Sequence, residues 1–311
     1  MPINSRHHKI LVSNITKKIK KSLLPEDIIE SYTKNGFAIV KNIVPAQRIN
    51  SLLENIFNLF CKYSTDCQEL KNMEKPWNTE LFHKKLIEFR QKDPESFGAI
   101  YDSLKTSLTL TQLITDNKVV DFVAKFLKIK PSDLSISEPM CRLDVPNDKR
   151  NILDWHQERS FFPQNRNGLN GLVCWIPLTD ITEEMGPMHI SPRSHAEGQL
   201  KLSNKTKKNM SYTTQIPVPE EFVSKYEDLA VRTNVGDAVF FNMLLFHRSG
   251  QNISNKVRLA TQGRFHTSTA DDFIPFDLIN YYNPFIKQKL EKKYDCSDIP
   301  NNERQSPVAT N

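Results

Sequence analysis

His156 and Glu158 stand two apart in the stretch Asp154-Trp155-His156-Gln157-Glu158, and His247 closes an apolar run far downstream. Two imidazoles and one carboxylate are a donor set that leaves open positions on a non-haem iron(II) ion. If residues 152–158 form a β-strand, side chains alternate with period two, and His156 and Glu158 face the same way. Arg258 follows His247 by eleven residues. That gap ends one strand, turns through Ser249 to Asn255 and returns on a neighbour, which brings Arg258 near His247. A buried guanidinium is costly without an anion, and a bidentate carboxylate contact satisfies it.

The His-x-acid pair by itself carries little. With 8 His and 36 acids in 311 residues, chance supplies roughly one such pair (8 × 36/311). The chain has a second, His195-Ala196-Glu197, but it lies between Ser191-Pro192-Arg193-Ser194 and Gly198, which is turn chemistry. His195 therefore reads as structural. His83 falls on a lysine-rich helix face and reads as a surface residue. From Arg258 the alternation runs through Ala260, Gln262, Arg264 and His266, a polar set that we place on the inner face because Arg258 needs an anion there.

The elements that position these residues change character near Pro131. Before it the spacing is helical. Pro25-Glu26-Asp27 starts a helix that Gly36 stops, and residues 37–40 form a strand. Pro45 opens a second helix with Ile49, Leu52, Leu53, Ile56 and Phe60 on one stripe, and further helices are expected at 79–92, 94–114 and 117–128. After Pro131, short strands are expected at 134–143, 152–158, 170–178, 187–191, 229–232, 237–247 and 256–267. That pattern suggests a jelly roll or related barrel, with the N-terminal helices covering its outer face. Residues 1–24 read as an arm, 25–292 as a single domain with a lid-like polar insert at 196–228, 278–292 as a last helix and 293–311 as a disordered tail.

Composition is that of an ordinary globular chain, 38% apolar and 25% charged. No apolar run approaches the ~18 residues that span a bilayer, and no secretory signal is evident. The five cysteines are odd in number and form no CxxC pair. This favours a reducing, cytoplasmic setting and argues against a thiolate zinc site. The net charge of +6 is partly clustered at Lys17, Lys18, Lys20 and Lys21 and at Lys201, Lys205, Lys207 and Lys208. Such runs read first as solvated surface and second as attraction for anionic substrates. No zinc finger or aromatic-plus-basic signature accompanies them, so nucleic acid is not an expected partner.

Several segments resemble the phytanoyl-CoA dioxygenase family of Fe(II)/2-oxoglutarate oxygenases. They are Asn35-Gly36-Phe37-Ala38-Ile39-Val40, Trp155-His156-Gln157-Glu158, Cys174-Trp175-Ile176-Pro177-Leu178-Thr179-Asp180, Gly186 through Ser191-Pro192-Arg193-Ser194-His195, Gly236-Asp237-Ala238-Val239-Phe240-Phe241, and His247-Arg248-Ser249-Gly250-Gln251-Asn252 running to Arg258. The resemblance implies a mainly β protein with a double-stranded β-helix core and flanking helices. It implies iron held by His156, Glu158 and His247. It also implies 2-oxoglutarate chelating that iron with its distal carboxylate on Arg258, and O2 as the oxidant. Ser249, Trp175 and Arg142 stand where the family places cosubstrate neighbours. The usual family acid is Asp, and Glu158 is one methylene longer. Halogenases of this class lack the acid, so Glu158 argues for hydroxylation.

The expected reaction is hydroxylation of a small polar or sugar-linked metabolite, anionic or nucleotide-linked, with succinate and CO2 released; a CoA ester is the next option. Arg159, Phe161, Phe162 and Gln164 follow the metal stretch and could line the mouth, with Arg264 and His266 adding positive charge. Two other classes stay open. A non-redox cupin-like isomerase or epimerase would not need Arg258. A non-catalytic β-sandwich binding module would bind no iron.

Overall fold

The computed structural model describes residues 25–148, 152–162, 164–165, 168–200 and 216–275. The expected arm, the last helix, the tail and the centre of the insert lie outside the described residues.

Helix α1 (Pro25–Asn35) carries Glu26 and Asp27 in its first turn, where they complement the helix dipole. It ends at Gly36, whose φ of +78° suits glycine. A Cβ there would also come within 2.5 Å of His195 Nδ1. Strand β1 (Phe37–Val40) follows, then α2 (Ala46–Tyr63), which buries Ile49, Leu52, Leu53, Ile56 and Phe60 as the stripe predicts. α3 (Glu80–Lys92) is capped by Thr79, which accepts from Phe82 N at 3.2 Å. The single helix expected at 94–114 is two, α4 (Pro94–Lys105) and α5 (Leu108–Ile114), because Ser107 caps a new start by accepting from Leu110 N. α6 (Asn117–Leu127) completes the helical layer. His83 is buried rather than on the surface, with its Nδ1 accepting from Val257 N at 3.2 Å. Burial and nearby Lys256 push its pKa down to about 4.

The remaining strands are β2 (Leu134–Asp144), β3 (Gly171–Pro177), β4 (Met188–Ile190), β5 (Leu229–Val231), β6 (Ala238–Asn242), β7 (His247–Arg248) and β8 (Arg258–Thr267). A short helix, α7 (Glu220–Val223), precedes β5. The major sheet runs β1-β6-β3-β8-β2 and the minor sheet β5-β4-β7, with every pairing antiparallel. This is the double-stranded β-helix with flanking helices.

Alternation divides each strand of the major sheet. Leu172, Cys174, Ile176, Phe240, Leu259 and Phe265 join the core shared with the helices. Val173, Trp175, Val239, Phe241 and Ala260 form a second cluster with Ile190 and Val231 of the minor sheet. The second cluster is the barrel interior. Arg258 and Arg264 share a strand face with Ala260, so the inward placement of this polar set holds.

Two further expectations need correction. The run 237–247 is not one strand, because it leaves the major sheet after Asn242 and re-enters the minor sheet at His247. Leu244 N bonds to Asn242 Oδ1 and Leu245 N to Asn242 O, which makes a turn. Cys61 and Cys67 are paired in a disulfide, Cα atoms 5.3 Å apart, although the odd, CxxC-free cysteine set favoured a reducing setting; the end of α2 and the turn after it bring them together. Cys141 and Cys174 are free and buried. No helix among the described residues is long and apolar enough to cross a membrane.

Candidate metal centre

His247 opens β7, and its backbone exchanges two hydrogen bonds with His156, at 3.0 and 3.1 Å. The expected strand over 152–158 is not formed. His156 makes only this isolated bridge, and Glu158–Ser160 is a 3-10 turn closed by bonds from Phe161 N and Phe162 N to Glu158 O. The two side chains still converge, because Gln157 is extended (φ −106°, ψ 131°) and supplies one step of alternation. Its amide holds that step: Nε2 donates to Gly198 O and Leu244 O, and Oε1 accepts from Leu200 N.

The ligating atoms of His156, Glu158 and His247 lie within 4.8 Å of one another, and all three residues are buried. His156 Nδ1 sits 2.7 Å from Asp154 O and His247 Nδ1 sits 3.0 Å from Leu245 O. A carbonyl only accepts, so each Nδ1 carries the proton and each Nε2 presents a lone pair to the centre. Glu158 Oε2 is 3.1 Å from His247 Nε2 and 3.7 Å from His156 Nε2. Burial and neighbouring His156 lower the His247 pKa against the opposing pull of Glu158. Burial alone would raise the Glu158 pKa, but the Arg264 guanidinium holds it well below the carboxylate range. Two lone pairs and an ionised carboxylate in one dry space repel one another unless a cation lies between them. The donor set thus fits a metal ion, and outer bonds fix each imidazole as they do around bound metals.

A recess beside His156 is lined by Leu153, Asp154, Phe161, Ile216 and Pro217. Phe161 stands edge-on to the His156 ring at 5.6 Å.

Arg258 lies deeper along β8. Its Nε and Nη2 reach Asp144 Oδ2 at 3.2 and 2.8 Å, and its Nη1 bonds to Gly186 O and Gly250 O. Arg142, two residues before Asp144 on β2, bonds to the other oxygen of the same carboxylate. Arg258 therefore has the anionic partner that its burial demands, but that partner is the protein's own.

The other expected residues are dispersed around this centre. Trp175 is on the barrel interior. The Ser249 backbone N bonds to Leu153 O. Arg264 ion-pairs with Glu158. His266 Nε2 is 2.9 Å from Ser137 Oγ, and its Nδ1 has no hydrogen-bond partner. Gln164 is buried, with Oε1 likewise unpartnered. Arg159 is buried, its backbone N anchored to Met243 O. His195 is away from the centre, beside Gly36, as its turn sequence implies. Sequence reasoning missed Asp144 and Gln157. The i, i+2 spacing of Arg142 and Asp144 within a strand was the available signal for the first.

Residues 32–260 match the family model described as Phytanoyl-CoA dioxygenase (PhyH). The chain belongs to the phytanoyl-CoA dioxygenase family. Human "Phytanoyl-CoA dioxygenase, peroxisomal" is 26% identical over 248 residues, which is 75% of this chain and 66% of that protein, so the chain spans less than two thirds of this relative. The epimerase SnoN, solved in complex with Fe3+, alpha ketoglutarate and nogalamycin RO, is 17% identical with a TM-score of 0.52, covering 81% of this chain and 86% of that one. EvdO2 from Micromonospora carbonacea var. aurantiaca, complexed with 2-oxoglutarate, is 18% identical with a TM-score of 0.53, covering 81% and 96%. These likenesses show the shared fold. Among the described residues, His156, Glu158 and His247 are the group that brings three metal-ligating side chains together.

Proposed function

We propose that the chain is a 2-oxoglutarate-dependent dioxygenase that hydroxylates a small polar metabolite, with His156, Glu158 and His247 as its iron ligands. The observation that carries this reading is the pair of Nε2 lone pairs facing Glu158 Oε2, each imidazole fixed by a carbonyl on its far side. Bound Fe(II) with 2-oxoglutarate supplies oxidation by O2, giving succinate and CO2 beside the product.

The chain's own residues do the rest. His156, Glu158 and His247 would hold the ion while leaving it able to take further ligands. Arg258 is the clamp for the distal carboxylate of 2-oxoglutarate, sharing or exchanging Asp144 for it, with Arg142 on the other side of Asp144. Trp175, Val173, Val239 and Phe241 keep the interior dry. Phe161, edge-on to the His156 ring, would flank a substrate beside the metal ligands. An anionic or nucleotide-linked substrate is supported only by the net charge of +6, since Arg264 is already paired with Glu158. Glu158 supports hydroxylation over halide transfer, since the carboxylate occupies the ligand position. Family membership argues against the non-redox isomerase and the non-catalytic module. A cytoplasmic location belongs to the same proposal; the buried free thiols Cys141 and Cys174 favour it and the Cys61–Cys67 disulfide counts against it.

Incubation with Fe(II), 2-oxoglutarate and air, with a panel of polar and sugar-linked metabolites, tests it. Succinate release above the uncoupled rate and a product heavier by one oxygen are expected with at least one candidate class. A stereoisomer of the substrate in place of an oxygenated product would replace hydroxylation with epimerisation.

A further inference from the structure

Arg264 has no role in holding 2-oxoglutarate in the reading above, yet it makes the closest charged contact to the centre. It projects from the inner face of β8, where its register partners are Ser137 on β2 and Val173 on β3. Its Nε and Nη2 both lie 2.6 Å from Glu158 Oε1. The guanidinium also stacks on the ring of Phe162, 4.1 Å from its centroid. Both partners of this ion pair are buried, with side chains 4% and 5% exposed.

The consequence for Glu158 is a division of labour between its two oxygens. Oε1 is held by Arg264, and Oε2 is the oxygen that faces the two imidazoles. A glutamate has one more rotatable bond than the aspartate usual in the family, so its carboxylate has more ways to miss the centre. It can also rotate to present both oxygens. Two N–H donors on one oxygen, in a guanidinium fixed by an aromatic face, remove those alternatives.

We propose that Arg264 is a positioning residue that fixes Glu158 for metal ligation through Oε2 alone, and that it compensates for the extra methylene of the glutamate. This rests on His156, Glu158 and His247 being the metal ligands. Two effects oppose each other here. The Arg264 charge repels a cation, while its hydrogen bonds orient the ligand. The orienting effect wins, because removing an outer partner of a metal ligand typically costs ~10–100-fold in affinity.

The test uses Co(II) as an oxygen-stable probe on the full chain, without 2-oxoglutarate. Affinity and the cobalt visible band are measured for wild type, R264Q and R264K. Wild type binds one Co(II). R264Q binds ~10–100-fold more weakly with a shifted band. R264K, which keeps the charge but cannot place two donors on Oε1, falls between them. Equal or tighter binding by folded R264Q, with an unmoved band, overturns the proposal. If R264Q does not fold, R264K decides: wild-type affinity and an unmoved band overturn the proposal, and a threefold or greater loss with a shifted band supports it. Failure of wild type to bind Co(II) would instead overturn the metal centre itself.

Discussion

Asp144 and Arg258 face each other across the β2–β8 pair as register partners, and their side chains meet at 2.8 Å. The guanidinium assigned to the cosubstrate is thus already paired with a carboxylate of the chain. Burial alone would raise the Asp144 pKa, and Arg142 and Arg258 together bring it below the ordinary value. A cosubstrate carboxylate has to share these donors or displace Asp144 from them.

Asp144→Asn should therefore separate stability from binding. The variant leaves two buried guanidinium groups short of an anion, a loss on the order of 3 kcal/mol by comparison with other broken buried pairs, read as a lower urea midpoint. Its affinity for 2-oxoglutarate should rise several-fold, because those donors now lack a competitor. Weaker 2-oxoglutarate binding by the folded variant would mean that Asp144 orients the clamp instead of competing for it.

Glu158→Asp restores the usual family acid but shortens the side chain by one methylene. It cannot both keep Arg264 on one oxygen and present the other to the imidazoles at their present spacing. Metal affinity should fall by about tenfold, while Glu158→Ala should remove it. Tighter metal binding by the aspartate variant would show that the backbone here already suits the shorter acid.

His266 gives the protein an acid sensitivity. Burial, with Arg264 and Arg159 nearby, lowers its pKa to about 3. A lowered folded-state pKa means that the unfolded chain binds the proton more readily. The contribution of His266 is therefore complete above the unfolded value near 6.5 and is lost as pH falls toward the folded value, at up to about 1.4 kcal/mol per pH unit. Urea midpoints at pH 7.5 and pH 5.5 should diverge more for wild type than for His266→Gln. Equal divergence in the two proteins would remove His266 as the cause.

The layers of this fold were legible because each has a simple period. The α2 stripe from Ile49 to Phe60 and the alternation from Arg258 to His266 are both recovered in the structure. What was not legible depended on contacts between distant residues. The stretch 152–158 has strand-forming sequence, yet the bonds of Gln157 to Gly198, Leu200 and Leu244 hold it as a bridge followed by a turn. The centre survived that error because one extended residue between His156 and Glu158 is enough to align them. Arg258 showed its need for an anion in sequence, but the identity of that anion came from the register of a strand more than a hundred residues earlier. Likewise, nothing around His83 pointed to burial, since its acceptor role depends on Val257.

The most direct test is an anaerobic titration of the Fe(II)-loaded protein with 2-oxoglutarate, followed by admission of air. Wild type should develop a metal-to-ligand charge-transfer band that saturates at one equivalent, then release succinate. His247→Ala should show neither. Arg258→Ala should need far more 2-oxoglutarate to reach the same band. Absence of metal-dependent 2-oxoglutarate binding in wild type would contradict the account.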